Sequence, residues 1–491
     1  MNLVTADEMR SLDTATIESD GVASDVLMDR AGYGVAELVK RHFPNPVHVA
    51  CMVGKGNNGG DARIAAGYLS QWGYSCEICT SFDRDVFSKA EVIIDGLLGT
   101  GTRSPLSPQL ATFIQDVNQL GKPIVAIDIP SGLNATTGAS CGAVVRAKYT
   151  ATMGLPKIGL FLSDGPEHCG KIFCIDIGIQ KRRIQEAGLT THVTTEADIK
   201  PLLPSRKRES HKGSFGHVLV IAGSSGKMGA GVLAARGALR SGAGLVTYAL
   251  PERAFEHFDT TLPEIMIESL PDAETGALHR DAIQKIDMLA KGKAAIILGP
   301  GIGTSEETAE VVHHILKTNI PVVIDADALN CIASHPDWLT KLPAHAVLTP
   351  HPGEMARLIQ KSAVGVQLDR IATARDFISA HTATLVLKGH NTITACQNTL
   401  WVNSTGNPGM ATAGMGDVLA GIIGGFLAQG LSPCDAARAA VFLHGLAGDY
   451  TSKEKGEQGL LASDVADAVP NAIHAVQTQE IQTIPTIVPP L

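Results

Sequence analysis

Three consecutive stretches decide the fold: VHVACMV (Val47–Val53), GKGNNGGD (Gly54–Asp61) and ARIAAGYLSQ (Ala62–Gln71). The first is a short apolar run rich in β-branched residues, which reads as a parallel strand buried on both faces. It passes directly into a glycine-rich turn, and the turn into a helical pattern. Gly54, Gly56 and Gly59 meet the G-x-G-x-x-G spacing in that strand–turn–helix context, where backbone N–H groups and a helix N-terminus face an anionic ligand. Two features separate the loop from a plain dehydrogenase fingerprint. Asp61 brings a carboxylate to the helix start, where a pyrophosphate wants donors, and Glu77, the acid about 20 residues on, lies inside a strand rather than at its end.

Working outward, short apolar runs alternate with helical stretches along the chain. In the first half the predicted strands are YSCEICT, EVIIDG, PIVAIDI, YTATM and KIFCIDI. In the second they are GHVLVIAG, GLVTYAL, AAIILGPG, IPVVIDAD, AVLTP and TLVLKG, then a hairpin around NTITACQNTLWVN and two long helices from about Asp417 to Tyr450. This is the doubly wound α/β pattern, twice over. From Gln180 to Gly213 the chain turns polar, with Pro201 and Pro204, so a domain boundary is expected near residue 205 and the domains are taken as 1–205 and 206–491. The tail after Thr478 is expected to fray.

Composition narrows the function. With 44% hydrophobic residues in 491 the chain can bury large cores, and 51 glycines suit many tight strand-to-helix turns. A net charge of −9 and 4% aromatics argue against a nucleic-acid partner. No run approaches the length of a membrane helix, and MNLVTADEMRSLD lacks the charge-then-apolar order of a signal peptide, so a cytoplasmic protein is expected. Nine widely spaced cysteines fit a reducing compartment better than a disulfide framework. Cys76 and Cys79, three apart in a strand, read as buried thiols rather than a metal pair, and His313 and His314 point apart on one helix.

At the ends of the third and fourth strands stand Asp95-Gly-Leu-Leu-Gly-Thr-Gly and Asp128-Ile-Pro-Ser-Gly. Ligands of open α/β sheets bind outside the strands' carboxyl ends, so these elements and the glycine loop point at one cleft. Oxygens from Asn58, Asp95 and Ser131 suit a hard monovalent cation. Together with Met28-Asp-Arg-Ala-Gly, these motifs resemble the NAD(P)H-hydrate epimerase family over about residues 1–205. The resemblance implies a Rossmann-like domain in which Asn57, Asn58, Gly59, Gly60, Asp61, Gly99, Thr100, Gly101, Thr102, Arg103, Ser104, Pro105 and Asp128 contact substrate. It also implies that Asn58, Asp95 and Ser131 bind K⁺. Asp128 is the first choice for proton transfer and Lys157 the second. The sequence departs from the family at Ala62, which adds a methyl group to a loop expected to approach the ligand.

The strongest local signal is NSTGNPGMATAGMGDVLAG (Asn403–Gly421). A glycine-rich stretch opens a long apolar helix, so the helix start faces an anion, and Asp417 is placed to take a proton from a hydroxyl attacking a phosphoryl group. His211-Lys-Gly, Gly223–Ala230, Gly299–Gly303, Asp325–Leu329, Thr349–Glu354 and Lys388–Thr392 flank the predicted strands. Gly223–Ala230 is no Walker A loop, since Ile221 and Met228 break the pattern. The set resembles the ADP- or ATP-dependent NAD(P)H-hydrate dehydratase family over His211 to Asp464. That resemblance implies a ribokinase-like fold, with Lys388, Gly389, His390, Asn391, Thr392 and Gly416 at the nucleotide. Ala230, Gly303, His351 and Asp417 would then line the hydrate site, with Asp417 catalytic and Mg²⁺ accompanying ADP or ATP.

Both halves thus point to the hydrates NADHX and NADPHX, as an isomerase joined to a lyase, in a chain expected to assemble with copies of itself. Two rivals stand beside this reading. One is a small-molecule kinase of the same fold. The other is a non-catalytic nicotinamide-nucleotide sensor in the N-terminal half.

Overall fold

The computed structural model describes residues 1–102, 105–259, 262–478 and 487–488. Packing divides the chain into two compact units, Met1–Thr191 with Thr483–Leu491, and His192–Gln482. The division falls before residue 205 because Thr191–Val193 forms a short edge strand of the second sheet and Thr194 N donates to Val402 O at 2.9 Å. Three residues are too few to register as an apolar run in the sequence.

In the first unit the strands are β1 (His48–Val53), β2 (Ser75–Cys79), β3 (Val92–Gly96), β4 (Ile124–Ile127), β5 (Tyr149–Met153) and β6 (Lys171–Ile175). They form one parallel sheet in the order β6-β5-β4-β3-β1-β2, and Ile487–Val488 pairs in parallel with β6. The expectation of a frayed tail otherwise falls on residues outside those described. Alternation along β1 sends Val49, Cys51 and Val53 into one core with Val35, Val39 and Leu69 of the helices Ser24–His42 and Asn57–Gln71. Ala50 and Met52 go into the other, with Phe87, Phe113 and Ile114. The strand order reverses between β1 and β3, and the turns after these two strands flank the crevice this creates.

Two of the glycines there, Gly54 and Gly59, are required by contact rather than by flexibility. A Cβ on Gly54 would lie 1.9 Å from Leu97 O, and one on Gly59 2.1 Å from Gly54 O. Gly54→Ala is therefore expected to destabilise the first unit by about 1–3 kcal/mol, the usual cost of overpacking a core. Differential scanning calorimetry of the full chain checks this: the transition that carries the first unit should move down while the other stays.

The strands of the second sheet are β7 (Thr191–Val193), β8 (His217–Ile221), β9 (Leu245–Pro251), β10 (Met266–Leu270), β11 (Ala295–Leu298), β12 (Val322–Ile324), β13 (Ala346–Leu348), β14 (Thr384–Leu387), β15 (Ile393–Cys396) and β16 (Thr399–Val402). The sheet order is β10-β9-β8-β11-β12-β13-β14-β15-β16-β7. It is parallel from β10 to β14, and the β15–β16 hairpin adds antiparallel pairs. Gln397 and Asn398, at φ 49° and 68°, make the two-residue turn of that hairpin. The helices Met415–Ala428 and Met228–Arg240 pack closely, because Gly421 and Gly237 leave room for Ala234 O and Val418 O.

One pair of cysteines departs from the expectation of free thiols, while the other seven are free. Cys396 and Cys434 are joined in a disulfide that ties β15 to the start of the helix Pro433–Lys455. Thirty-eight residues separate them, and only the fold brings them together. Cys79 is buried as expected, whereas Cys76 is only partly so, because β2 is an edge strand. His313 stacks on Trp338 while His314 meets Asp287 at 2.8 Å, so the two rings do point apart.

Candidate active sites

In the first unit the helix Asn57–Gln71 begins within the glycine loop, which buries Asn58 and Asp61 at the carboxyl end of β1. Asn58 Nδ2 donates to Leu98 O at 3.0 Å and Ile127 O at 2.7 Å, knitting the turns after β3 and β4 to the loop. Asp95, which no solvent reaches, accepts from Ser131 Oγ at 2.6 Å, Ser131 N at 2.8 Å and Leu97 N at 3.2 Å. All three donors are neutral, and burial pushes the carboxyl up to about 6. Asn58, Asp95 and Ser131 are thus brought together, as the sequence expects.

Asp128 follows β4 with φ 63°, a left-handed conformation that Asp tolerates better than most residues. Its Oδ1 accepts from Lys157 Nζ and from Met153 N at 3.0 Å. Lys157 is fully buried, and Nζ also donates to Met153 O at 2.8 Å and Thr152 Oγ1 at 3.3 Å, which uses all three of its protons. Asp61 is pushed up to about 7, chiefly by burial and then by the charge of Asp128. Asp13, on the helix Ala6–Glu18, was not foreseen from the sequence. Its Oδ1 is buried with no hydrogen-bond partner among the described residues, and burial raises the carboxyl to about 6.

Gly99, Thr100, Gly101, Thr102 and Pro105 lie in or beside the turn after β3, where Thr102 Oγ1 donates to Gly99 O at 3.1 Å. Arg103 and Ser104 lie outside the described residues. Ala62 is not a ligand-facing residue: it is fully buried, and a Cβ built on Gly96 of β3 would come within 2.7 Å of its methyl group. The extra methyl lies between helix and sheet.

In the second unit the turns after β8, β11, β12, β13 and β14 gather at the carboxyl end of the sheet, around the start of the helix Met415–Ala428. Asp417 is the third residue of that helix. Burial pushes its carboxyl up to about 7, with the charge of Asp325 adding to the shift and that of Lys388 opposing it. Lys388 Nζ stands 2.8 Å from Asp325 Oδ1 and 3.8 Å from Glu354 Oε2. Burial works against this ammonium, but the carboxylates of Asp325 and Glu354 hold its pKa above the usual value. A Cβ on Gly416 would lie 3.2 Å from Lys388 Nζ, so glycine there leaves space for the lysine head.

Gly389, His390, Asn391 and Thr392 form the turn beyond Lys388, braced by the buried Arg370, which donates to His390 O and to Leu387 O at 2.9 Å. Gly303, at φ 86°, donates its N–H to Asp327 Oδ2 at 3.0 Å, and Ala230 lies in the first turn of the helix Met228–Arg240. His351 caps the helix Pro352–Leu358: its Nδ1 accepts from Gly353 N at 3.0 Å and Glu354 N at 3.3 Å. Asp325 and Thr349 open stretches that the sequence marks at strand ends without giving either residue a role, and Arg370 carries no sequence signal at all. Each bonds a partner at least 17 residues away, which no local motif records.

Residues 218–471 match the NAD(P)H-hydrate dehydratase family, and residues 24–87 and 76–159 match the family described as YjeF-related protein N-terminus. A bifunctional NAD(P)H-hydrate repair enzyme of Moorella thermoacetica is 36% identical over 99% of this chain and 98% of its own length. The chain belongs to the bifunctional NAD(P)H-hydrate repair enzyme family. The member from Escherichia coli is 31% identical over 97% of this chain and 94% of its own. The ADP/ATP-dependent NAD(P)H-hydrate dehydratase from Bacillus subtilis, co-crystallised with ATP and Mg²⁺, superposes with TM-score 0.51 at 32% identity, covering 58% of this chain and 98% of that one. A ribokinase-like superfamily protein from Enterococcus faecalis superposes with TM-score 0.52 at 27% identity, over 58% and 97%. The second unit of this repair-family chain is thereby ribokinase-like, as its sequence resemblance implies, and the first carries the epimerase-type motifs. No helix among the described residues is long and apolar enough to cross a membrane.

Proposed function

We propose that the two units repair hydrated nicotinamide nucleotides in succession. The first interconverts the R and S forms of NADHX and NADPHX. The second dehydrates the S form with ADP or ATP. The observation that carries this reading is a carboxylate beside a lysine at each sheet's ligand-binding edge, the buried Asp128 with Lys157 in one unit and the half-buried Asp417 with Lys388 in the other.

In the second unit Asp417 takes the proton of the ring hydroxyl as that oxygen attacks the terminal phosphoryl group. Lys388 and the first-turn N–H groups of the helix Met415–Ala428 receive the charge that develops there. Phosphate then departs from the ring with its C–O bond electrons, and loss of a proton from the adjacent carbon restores the double bond. Lys388–Thr392 and Gly416 serve the nucleotide, while Ala230, Gly303 and His351 line the hydrate site. Among the described residues no group of three His, Cys, Asp or Glu side chains is placed to hold a metal, so Mg²⁺ fits here chiefly through nucleotide phosphates and water. When bound, it neutralises phosphate charge.

In the first unit the residues of the loop, Asn57 to Asp61, and of the turn, Gly99 to Pro105, contact substrate and Asp128 moves the proton. The fully buried Asp95 carboxylate, bonded only to neutral donors, fits a monovalent cation shared with Asn58 and Ser131. Bound K⁺ would tie the turns after β3 and β4 to the loop. Asp95→Asn is expected to lower epimerase turnover more than about tenfold and to remove its dependence on KCl over tetramethylammonium chloride. Rates measured in both salts check this. We place the protein in the cytoplasm as an assembly of identical chains, which subcellular fractionation and light scattering test.

The deciding experiment follows absorbance at 340 nm on mixed R- and S-NADHX with Mg²⁺, K⁺ and ADP or ATP. Full, nucleotide-dependent recovery with stoichiometric release of inorganic phosphate is expected. Phosphate retained on the product would favour the small-molecule kinase instead.

A further inference from the structure

Asp325 has been given no role by the sequence motifs or by the proposed reaction, yet it is 1% exposed at the centre of the second site. Its Oδ1 accepts from Lys388 Nζ and from Thr349 Oγ1, each at 2.8 Å. Those partners follow β14 and β13, so one carboxylate ties three neighbouring turns at the sheet's carboxyl end. Its Oδ2 faces the helix that carries Asp417, 3.7 Å from where a Cβ on Gly416 would stand.

The backbone is built to hold it there. Ala326 adopts φ 51°, a conformation that costs a non-glycine residue on the order of 1–3 kcal/mol and persists only where surroundings enforce it. The sharp turn sends Asp325 towards Lys388 and Asp327 towards Gly303 N. Gly299 closes the turn from the other side: a Cβ there would stand 1.9 Å from Asp325 O, so nothing larger than glycine fits.

A lysine ammonium is a flexible point charge on a four-carbon stem, and its value in phosphoryl transfer depends on where it is fixed. We infer that Asp325 is the positioning residue of the dehydratase, acting through Lys388 to set the ammonium beside Gly416 and Asp417, where the phosphoryl group passes. Thr349 fixes Asp325 in turn, and Glu354 flanks the ammonium from the helix Pro352–Leu358. The groups that face Asp417 are then Asp325, Lys388 and, from β9, Tyr248. The inference rests on the proposed dehydratase reaction.

The test uses the full chain with S-NADHX, nucleotide and Mg²⁺, comparing wild type, Asp325→Asn, Lys388→Gln and the double variant. Asp325→Asn is expected to lower kcat about 100-fold, the scale of misplacing a reacting or positioning group by about 1 Å. KM for S-NADHX should stay within about twofold, and the acid limb of the pH–rate profile should move to lower pH, because a carboxylate facing Asp417 has lost its charge. The decisive reading is the cycle: if Asp325 acts through Lys388, the double variant is no slower than Lys388→Gln alone. Full additivity, or an Asp325→Asn kcat within about twofold of wild type, overturns the inference. Should Asp325→Asn fail to fold, Thr349→Val, which removes only the hydroxyl that fixes Asp325, must show the same direction of change in kcat and vanish in a Lys388→Gln background. If wild type lacks nucleotide-dependent dehydration altogether, the proposed function fails first and is recognised separately.

Discussion

Asp417→Asn is expected to reduce nucleotide-dependent dehydration of S-NADHX by about 10²–10⁴-fold, the range a positioned general base contributes. Asn keeps the size and the polar oxygen of Asp at a helix start but cannot accept the hydroxyl proton, so nucleotide affinity measured by calorimetry should change little. The wild-type pH profile supplies a second check. Burial, aided by Asp325, raises the Asp417 carboxyl to about 7. The ionised base therefore fills as pH climbs through 7, and kcat/KM should rise with it and level off above. The variant should lack that limb.

The same shift sets the sign of a stability effect. A carboxyl whose folded-state pKa lies above its ordinary value of 3.8 favours folding most where it is neutral. Its contribution is complete below about pH 4 and is lost as pH rises through about 7. Asn never ionises and escapes that loss. At pH 8 the inactive variant should thus melt above wild type, a stability–activity exchange typical of residues buried for chemistry rather than packing. A lower melting temperature at pH 8, with activity lost, would mean that Asp417 serves the fold instead.

What the sequence makes legible here is whatever is local. Runs such as VHVACMV and GHVLVIAG are strands because both faces of a parallel sheet need apolar residues, and glycines beside them mark turns with no room for a side chain. The β10 strand escapes because MIESL sits at a sheet edge and buries fully only Leu270. Asp417 and Asp128 stand out because each closes or opens an element next to glycines. Their pairings do not stand out, even where the partner itself is named, as Lys157 and Lys388 are. Asp325 reaches Lys388 across 63 residues, Lys157 reaches Asp128 across 29, and Asp13 belongs to an amphipathic helix with no motif at all. Ala62 shows the converse error: motif position suggested a ligand contact, whereas helix phase turns the residue into the sheet.

That long-range pairing gives the second large effect. Asp128→Asn should bring R-to-S exchange down to the spontaneous rate, again a loss on the order of 10²–10⁴-fold, while dehydration of pure S-NADHX by the other unit proceeds unchanged. Asn accepts the left-handed φ of 63° nearly as well as Asp, so the backbone gives no reason for unfolding. The charge does give one, since Lys157 is wholly buried and loses its direct counter-ion. Asp128→Asn with Lys157→Met removes both charges and separates the two causes. If Asp128 moves the proton, the double variant regains thermal stability yet still exchanges epimers no faster than buffer. Recovery of NADH from a mixed sample then becomes biphasic, a fast phase equal to the S fraction and a slow one set by spontaneous exchange. Recovery of exchange along with stability would assign Asp128 to holding Lys157, and the proton transfer would pass to Asp61, a second buried carboxyl of the glycine loop.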